Sequence, residues 1–183
     1  ACNGGSAPWD GATGKENWGG DHGLPAGCAS DENGVYLGWS GAEAGKALVA
    51  CDLQGNVRWK NSRQGMCGAE FVAADGGCVY AVNWGPNNSN YLYRVAAKDG
   101  AYVVYPGTDS PDIRVEDLAP SSRGPRRMDG MDVKNDIIYM SFTKDNMVML
   151  VNGKAGVLAK CIEVRAPGHL KAVSDTLVYV VSD

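Results

Sequence analysis

Residues 34–39 read GVYLGW and residues 47–59 read ALVACDLQGNVRW; further on, residues 78–84 read CVYAVNW and residues 92–105 read LYRVAAKDGAYVVY. The second pair restates the first. Laid on each other, Tyr36 falls on Tyr80, Gly55 on Gly100 and Trp59 on Val104. The period of about 45 residues is that of propeller blades and similar arrays, in which each repeat buries its apolar face against the next.

A third unit runs from Met128 to Val164, with Tyr139 in the place of Tyr36 and Tyr80, and a fourth begins at His169 and carries Tyr179. The repeat tyrosines at 36, 80, 139 and 179 are 44, 59 and 40 residues apart. The long second interval holds the segment from Pro106 to Arg127, which is Pro-rich and weakly patterned and is expected to be an inserted loop. Each unit reads as four short strands: A around FVAAD (71–75), B around CVYAVNW (78–84), C around LYRVAA (92–97) and D around AYVVY (101–105). The expected fold is therefore an all-β propeller of four-stranded antiparallel blades, a single unit over 1–183, with whole blades at 24–60, 66–105 and 128–164. Residues 1–20 then hold only a C–D half and residues 169–183 only an A–B half. Three arrangements satisfy this: the halves pair and close four blades, a second copy shares the ring, or the chain is part of a larger propeller.

The N-terminal island PWDGATGKENW, Pro8 to Trp18, resembles the tryptophan-docking repeat AxDxxTGKxxW of the PQQ-type quinoprotein propellers. Asp10, Thr13, Gly14, Lys15 and Trp18 match it, and Pro8 replaces the Ala. The copy at 50–59 keeps Ala50, Asp52, Gly55 and Trp59; the copy at 96–104 keeps Ala96, Asp99 and Gly100. The resemblance implies blade-on-blade packing. It does not imply the quinone, because those enzymes use two adjacent cysteines beside the cofactor and no two cysteines here are adjacent.

Composition agrees with a β array and narrows the function classes. The 25 glycines and the clustered Val, Tyr and Trp suit short strands and tight turns, and no stretch shows sustained helical spacing. With 17 basic and 21 acidic residues the net charge is −4, which disfavours a nucleic-acid partner. No apolar run approaches the roughly 20 residues that span a bilayer. Six cysteines, at 2, 28, 51, 67, 78 and 161, lack any CxxC pair. Their even number permits up to three disulfides, which with the Gly-rich β composition leads to the expectation of an extracellular or periplasmic protein.

Ten places before each repeat Tyr stand Ala26, Glu70, Asp129 and His169. Equivalent positions on the innermost strands of a propeller point into the channel at one height. Glu70, Asp129 and His169 are thus candidate ligands for a divalent cation, the expected cofactor if there is one, or acid and base groups acting on a polysaccharide. His22, in the glycine-rich WGGDHG, is a candidate ligand-binding residue. Trp39 and Trp84, at the ends of B strands, are candidate stacking rings for a sugar. Arg126 and Arg127 close the long loop and suit a carboxylate or sulfate on an acidic polymer. The leading expectation is a non-catalytic binding or scaffold module with a glycan or protein partner; the runner-up is a metal-assisted polysaccharide lyase or hydrolase, and a quinone-dependent dehydrogenase comes third, since the cysteine pair is absent.

Overall fold

The structure is a computed structural model, and it describes residues 24–40, 48–61, 67–84, 90–119, 127–174 and 176–182. Within these residues the chain is almost entirely strand. β1 (Leu24–Asp31), β2 (Gly34–Ser40), β3 (Leu48–Cys51) and β4 (Val57–Asn61) make the first antiparallel sheet. β5 (Cys67–Asp75), β6 (Cys78–Trp84), β7 (Asn90–Ala96) and β8 (Asp112–Arg114) make the second. β9 (Gly130–Lys134), β10 (Ile137–Phe142), β11 (Met147–Asn152) and β12 (Val157–Glu163) make the third, while β13 (Pro167–Ser174) and β14 (Leu177–Ser182) pair as a two-stranded sheet. In every sheet the strands lie in chain order, each paired antiparallel with the next. This is the meander of a propeller blade.

Side chains alternate across each strand, so each blade has two faces, and the hydrophobic clusters lie between blades. Tyr36, Leu48, Ala50 and Trp59 of the first sheet meet Ala69, Val79, Tyr93 and Val95 of the second. Tyr80, Val82 and Leu92 of the second sheet meet Val133, Ile138, Met140 and Phe142 of the third. Tyr139 and Val148 of the third pack with Ala172, Val178 and Val180 of the two-stranded sheet. Tyr36, Tyr80 and Tyr139 thus each face the blade that follows their own. Tyr36 and Tyr80 are 0% exposed and Tyr139 is 4%, and burial of a side chain of this size is worth about 2–3 kcal/mol.

The second blade departs from the expected pattern in its outermost strand. AYVVY does not form a continuous strand D; Tyr102 makes a single antiparallel bridge to Val95, and pairing resumes only at β8, where Asp112 to Arg114 lie opposite Tyr93 to Tyr91. The fourth strand is therefore built in two pieces, the second taken from the segment expected to be an unpatterned insertion. Its chain continues into α1 (Val115–Leu118). The reason is a buried carboxylate: Glu116 accepts hydrogen bonds from the Asn90 backbone N–H at 3.0 Å and from Asn90 Nδ2 at 2.9 Å, fixing α1 to the start of β7.

Cys28, Cys51, Cys78 and Cys161 are free thiols, which corrects the allowance for three disulfides. Among the described residues no helix is long and apolar enough to cross a membrane. The N-terminal half-blade expected over 1–20 lies outside the described residues.

Candidate functional site

The innermost strands β1, β5, β9 and β13 surround one channel, which widens to a cavity of about 710 Å³ at the ends of these strands. Small side chains permit the convergence: Ala29, Ala74 and Ala172 stand on the channel lining. Ionisable groups at the wide end are Asp31, Glu32, Asp75 and Asp132, with Lys134 and Lys171 opposing them.

Most of these carboxylates hold the scaffold. Asp31 accepts from the Tyr36 hydroxyl at 3.1 and 3.2 Å and from the Asn33 backbone N–H at 2.7 Å, closing the β1–β2 hairpin. Burial, reinforced by that carboxylate, pushes the Tyr36 phenol up to about 12. Asp132 accepts from the Ala172 backbone N–H at 2.9 Å and pairs with Lys171 Nζ at 2.9 Å, joining β9 to β13. Asp75 accepts from the Asp136 backbone N–H at 3.3 Å, and Asp136 in turn pairs with Lys154 Nζ at 2.6 Å. The mouth is thus an acidic rim whose geometry is fixed by bonds within the first blade and between the blades that follow.

At the other end of the channel a smaller pocket of about 250 Å³ is lined by Ala26, Glu70, Gly130 and His169, among others. The count back from the repeat tyrosines therefore brings Ala26, Glu70 and His169 to one mouth, with Gly130 lining it in place of its neighbour Asp129. The Asp129 carboxylate accepts instead from the Thr143 backbone N–H at 2.9 Å. Among the described residues no three His, Cys, Asp or Glu side chains stand together as metal ligands would. Trp39 stands one residue before the end of β2 and Trp84 ends β6; their side chains, and His22 and Arg126, lie outside the described residues. Arg127 is exposed just before the buried Met128 and is not among the residues that line either channel mouth.

Sequence reasoning passed over Asp31, Asp75, Asp132 and Lys171. A usable signal existed for the first two, since each ends an A strand immediately before a two-residue hairpin turn. Lys171 and Asp132 are 39 positions apart, and only the packing of β13 on β9 joins them.

Among solved structures the chain is similar to the computationally designed Ika8 protein, with a TM-score of 0.55 at 13% identity over 92% of this chain and 46% of that one. BamB from Moraxella catarrhalis matches with a TM-score of 0.57 at 14% identity over 90% of this chain and 45% of its own. The computationally designed Ika4 protein matches with a TM-score of 0.55 at 12% identity, over 89% of this chain and 93% of its own. The chain spans about half the length of the first two. Likeness at these identities is likeness of fold, and the fold is the β-propeller. No family model matches the chain, and no curated protein matches it.

Proposed function

We propose that this protein is a non-catalytic propeller module that binds a protein partner at the wide, acidic mouth of its channel. The observation that carries this reading is the rim itself, where the side chains of Asp31, Asp75 and Asp132 hold adjacent strands and blades in place. A mouth built that way is rigid before a partner arrives, which lowers the ordering cost of binding. With four carboxylates against two lysines it favours a segment rich in Lys or Arg over an acidic glycan. Titration with an oligolysine peptide tests it: binding that weakens with ionic strength and with Glu32→Gln supports the reading. Preference for an acidic glycan, lost in Arg127→Ala, supports the glycan-binding form instead.

A second reading, an acid–base lyase or hydrolase at the narrow mouth, draws on Glu70 and His169 lining one pocket. Turnover of a polysaccharide abolished by both Glu70→Gln and His169→Ala would establish it. The Trp59 indole over Gly100 supports placing the repeats in the tryptophan-docking class. Placement outside the cytoplasm rests on the Gly-rich β composition, since the four free thiols lend it no support.

A further inference from the structure

We propose that the hollow between the turns of the first and second blades binds a carboxylate group from outside the chain, in the seat that Asp136 fills one blade later. This hollow, of about 270 Å³, is lined by Asn33 and Arg58 of the first blade and by Gly77, Ala96, Ala97 and Lys98 of the second. Among the described residues no carboxylate lines it. It shares no lining residue with either mouth of the channel.

The third blade shows what this hollow lacks. In both blades the turn after the third strand is bonded to the first hairpin turn: the Ala97 N–H donates to the Gly77 carbonyl at 2.9 Å, and the Gly153 N–H to the Asp136 carbonyl at 2.7 Å. Gly77 therefore stands where Asp136 stands, and Lys98 where Lys154 stands. The two backbones agree, with a φ of +77° at Gly77 and +61° at Asp136. In the third blade the Asp136 carboxylate pairs with Lys154 Nζ at 2.6 Å. In the second blade the acid is replaced by hydrogen, and a Cβ added to Gly77 would meet nothing within 4 Å.

A second cation enters where the acid is missing. Arg58 Nη1 donates to the Asn33 carbonyl at 2.9 Å and Nη2 to the Lys98 carbonyl at 3.4 Å. These bonds bridge the two blades and hold the planar head at the hollow, while each terminal nitrogen carries a second N–H. At the next boundary the Tyr105 ring covers Gly156 as the Trp59 ring covers Gly100, so the place of Arg58 falls to Val104. Lys154 thus has an acid and a valine at the two places where Lys98 has a glycine and an arginine. Neighbouring carboxylates are engaged elsewhere. Asp31 accepts from the Tyr36 hydroxyl and the Asn33 N–H, and Glu32 lines the channel mouth. Asp99 accepts from the Ala101 N–H at 3.0 Å and comes only within 3.8 Å of Lys98 Nζ. A guanidinium fork beside an ammonium suits the two oxygens of a planar carboxylate.

Titration of the isotopically labelled full chain with sodium acetate at constant ionic strength, followed by backbone amide and arginine Nε–H resonances, tests this. The expected result is a saturable shift of the Gly77, Lys98 and Arg58 signals, with those of Gly153 and Lys154 unmoved. Arg58→Gln should weaken acetate binding about tenfold, the loss of a hydrogen bond to a charged group. Gly77→Asp supplies the acid from within the chain, at a positive φ that Asp tolerates, and should abolish the response. Both positions are exposed, so neither variant disturbs the core. Shifts that grow linearly with acetate, equal shifts at Lys154, or a response kept in Gly77→Asp would each overturn the proposal. So would tighter binding of inorganic phosphate at the same residues, which would make this a seat for a tetrahedral anion.

Discussion

Trp59 Nε1 donates a hydrogen bond to the Ala97 carbonyl at 2.9 Å, across the boundary between the first and second blades. The ring that carries this donor packs 6.0 Å from Tyr36 and covers the face of Gly100. One side chain therefore fixes two blades at once, through area and through direction. Truncation to Trp59→Ala should cost about 3–5 kcal/mol of unfolding free energy, read from urea midpoints. Trp59→Phe keeps most of the area and loses the donor, leaving Ala97 unpaired, for a loss of about 1 kcal/mol.

Gly100 should tolerate no side chain while the indole is present. A methyl group there meets the ring at 2.6 Å and also holds an L-residue at a φ of +72°. Gly100→Ala is expected to destabilise by about 2–4 kcal/mol, of which the backbone share is about 1–2 kcal/mol. The remainder is steric and should vanish in the Trp59→Ala background, so a double-mutant cycle separates the two.

Arg94 does at the second boundary what Trp59 does at the first. Its guanidinium, 6% exposed, donates to the Gly153 carbonyl at 2.9 Å and to Val104 at 3.0 Å, and lies 4.6 Å from the centre of the Tyr105 ring. Arg94→Lys retains the charge but not the planar fork, so it should lose most of the contact. A fall of about 2–3 kcal/mol is expected for Lys and more for Met, which leaves both carbonyls without a donor.

Alkali should unfold the protein from the blade boundaries. Burial, with Asp31 next in effect, raises the Tyr36 phenol from its ordinary value of 10.0 to about 12, and burial raises the Cys51 thiol from 9.0 to about 11. The folded chain therefore holds these protons more tightly than the unfolded chain does. Their contribution is complete below about pH 9 for Cys51 and pH 10 for Tyr36, and is lost as pH rises through 11 and 12. Tyr36→Phe should flatten the fall in urea midpoint between pH 10 and 12, while Cys51→Ala flattens the part that begins near pH 9.

The register of the array was legible because it is local and repeated. Each hairpin places a β-branched residue and a Tyr at the same point of strand B (Val35–Tyr36, Val79–Tyr80, Ile138–Tyr139), and these three tyrosines all reach a blade boundary. Simple superposition put Val104 in the place of Trp59; the structure puts Tyr105 there, one residue later, because its ring is the one over Gly156. The displaced outer strand had no local mark at all. Asp112 to Arg114 are three residues with no alternation to read, and they pair with β7 because Glu116 reaches Asn90 across 26 positions.

The candidate site divides in the same way. Counting along the repeat brought Glu70 and His169 to one mouth, since equivalent places on innermost strands share a height. It also named Asp129, whose carboxylate caps Thr143, and it passed over the acidic rim at the other end.

By itself the sequence determined the all-β repeat, its period and the common register of Tyr36, Tyr80 and Tyr139, because these depend on side-chain alternation and turn chemistry within some 40 residues. Tertiary structure alone decided which groups meet across blades: Trp59 with Ala97, Arg94 with Gly153, Asp132 with Lys171. Such contacts depend on the angle at which one twisted sheet lies on the next, and that angle is set by the packing of both faces together, which no single strand encodes.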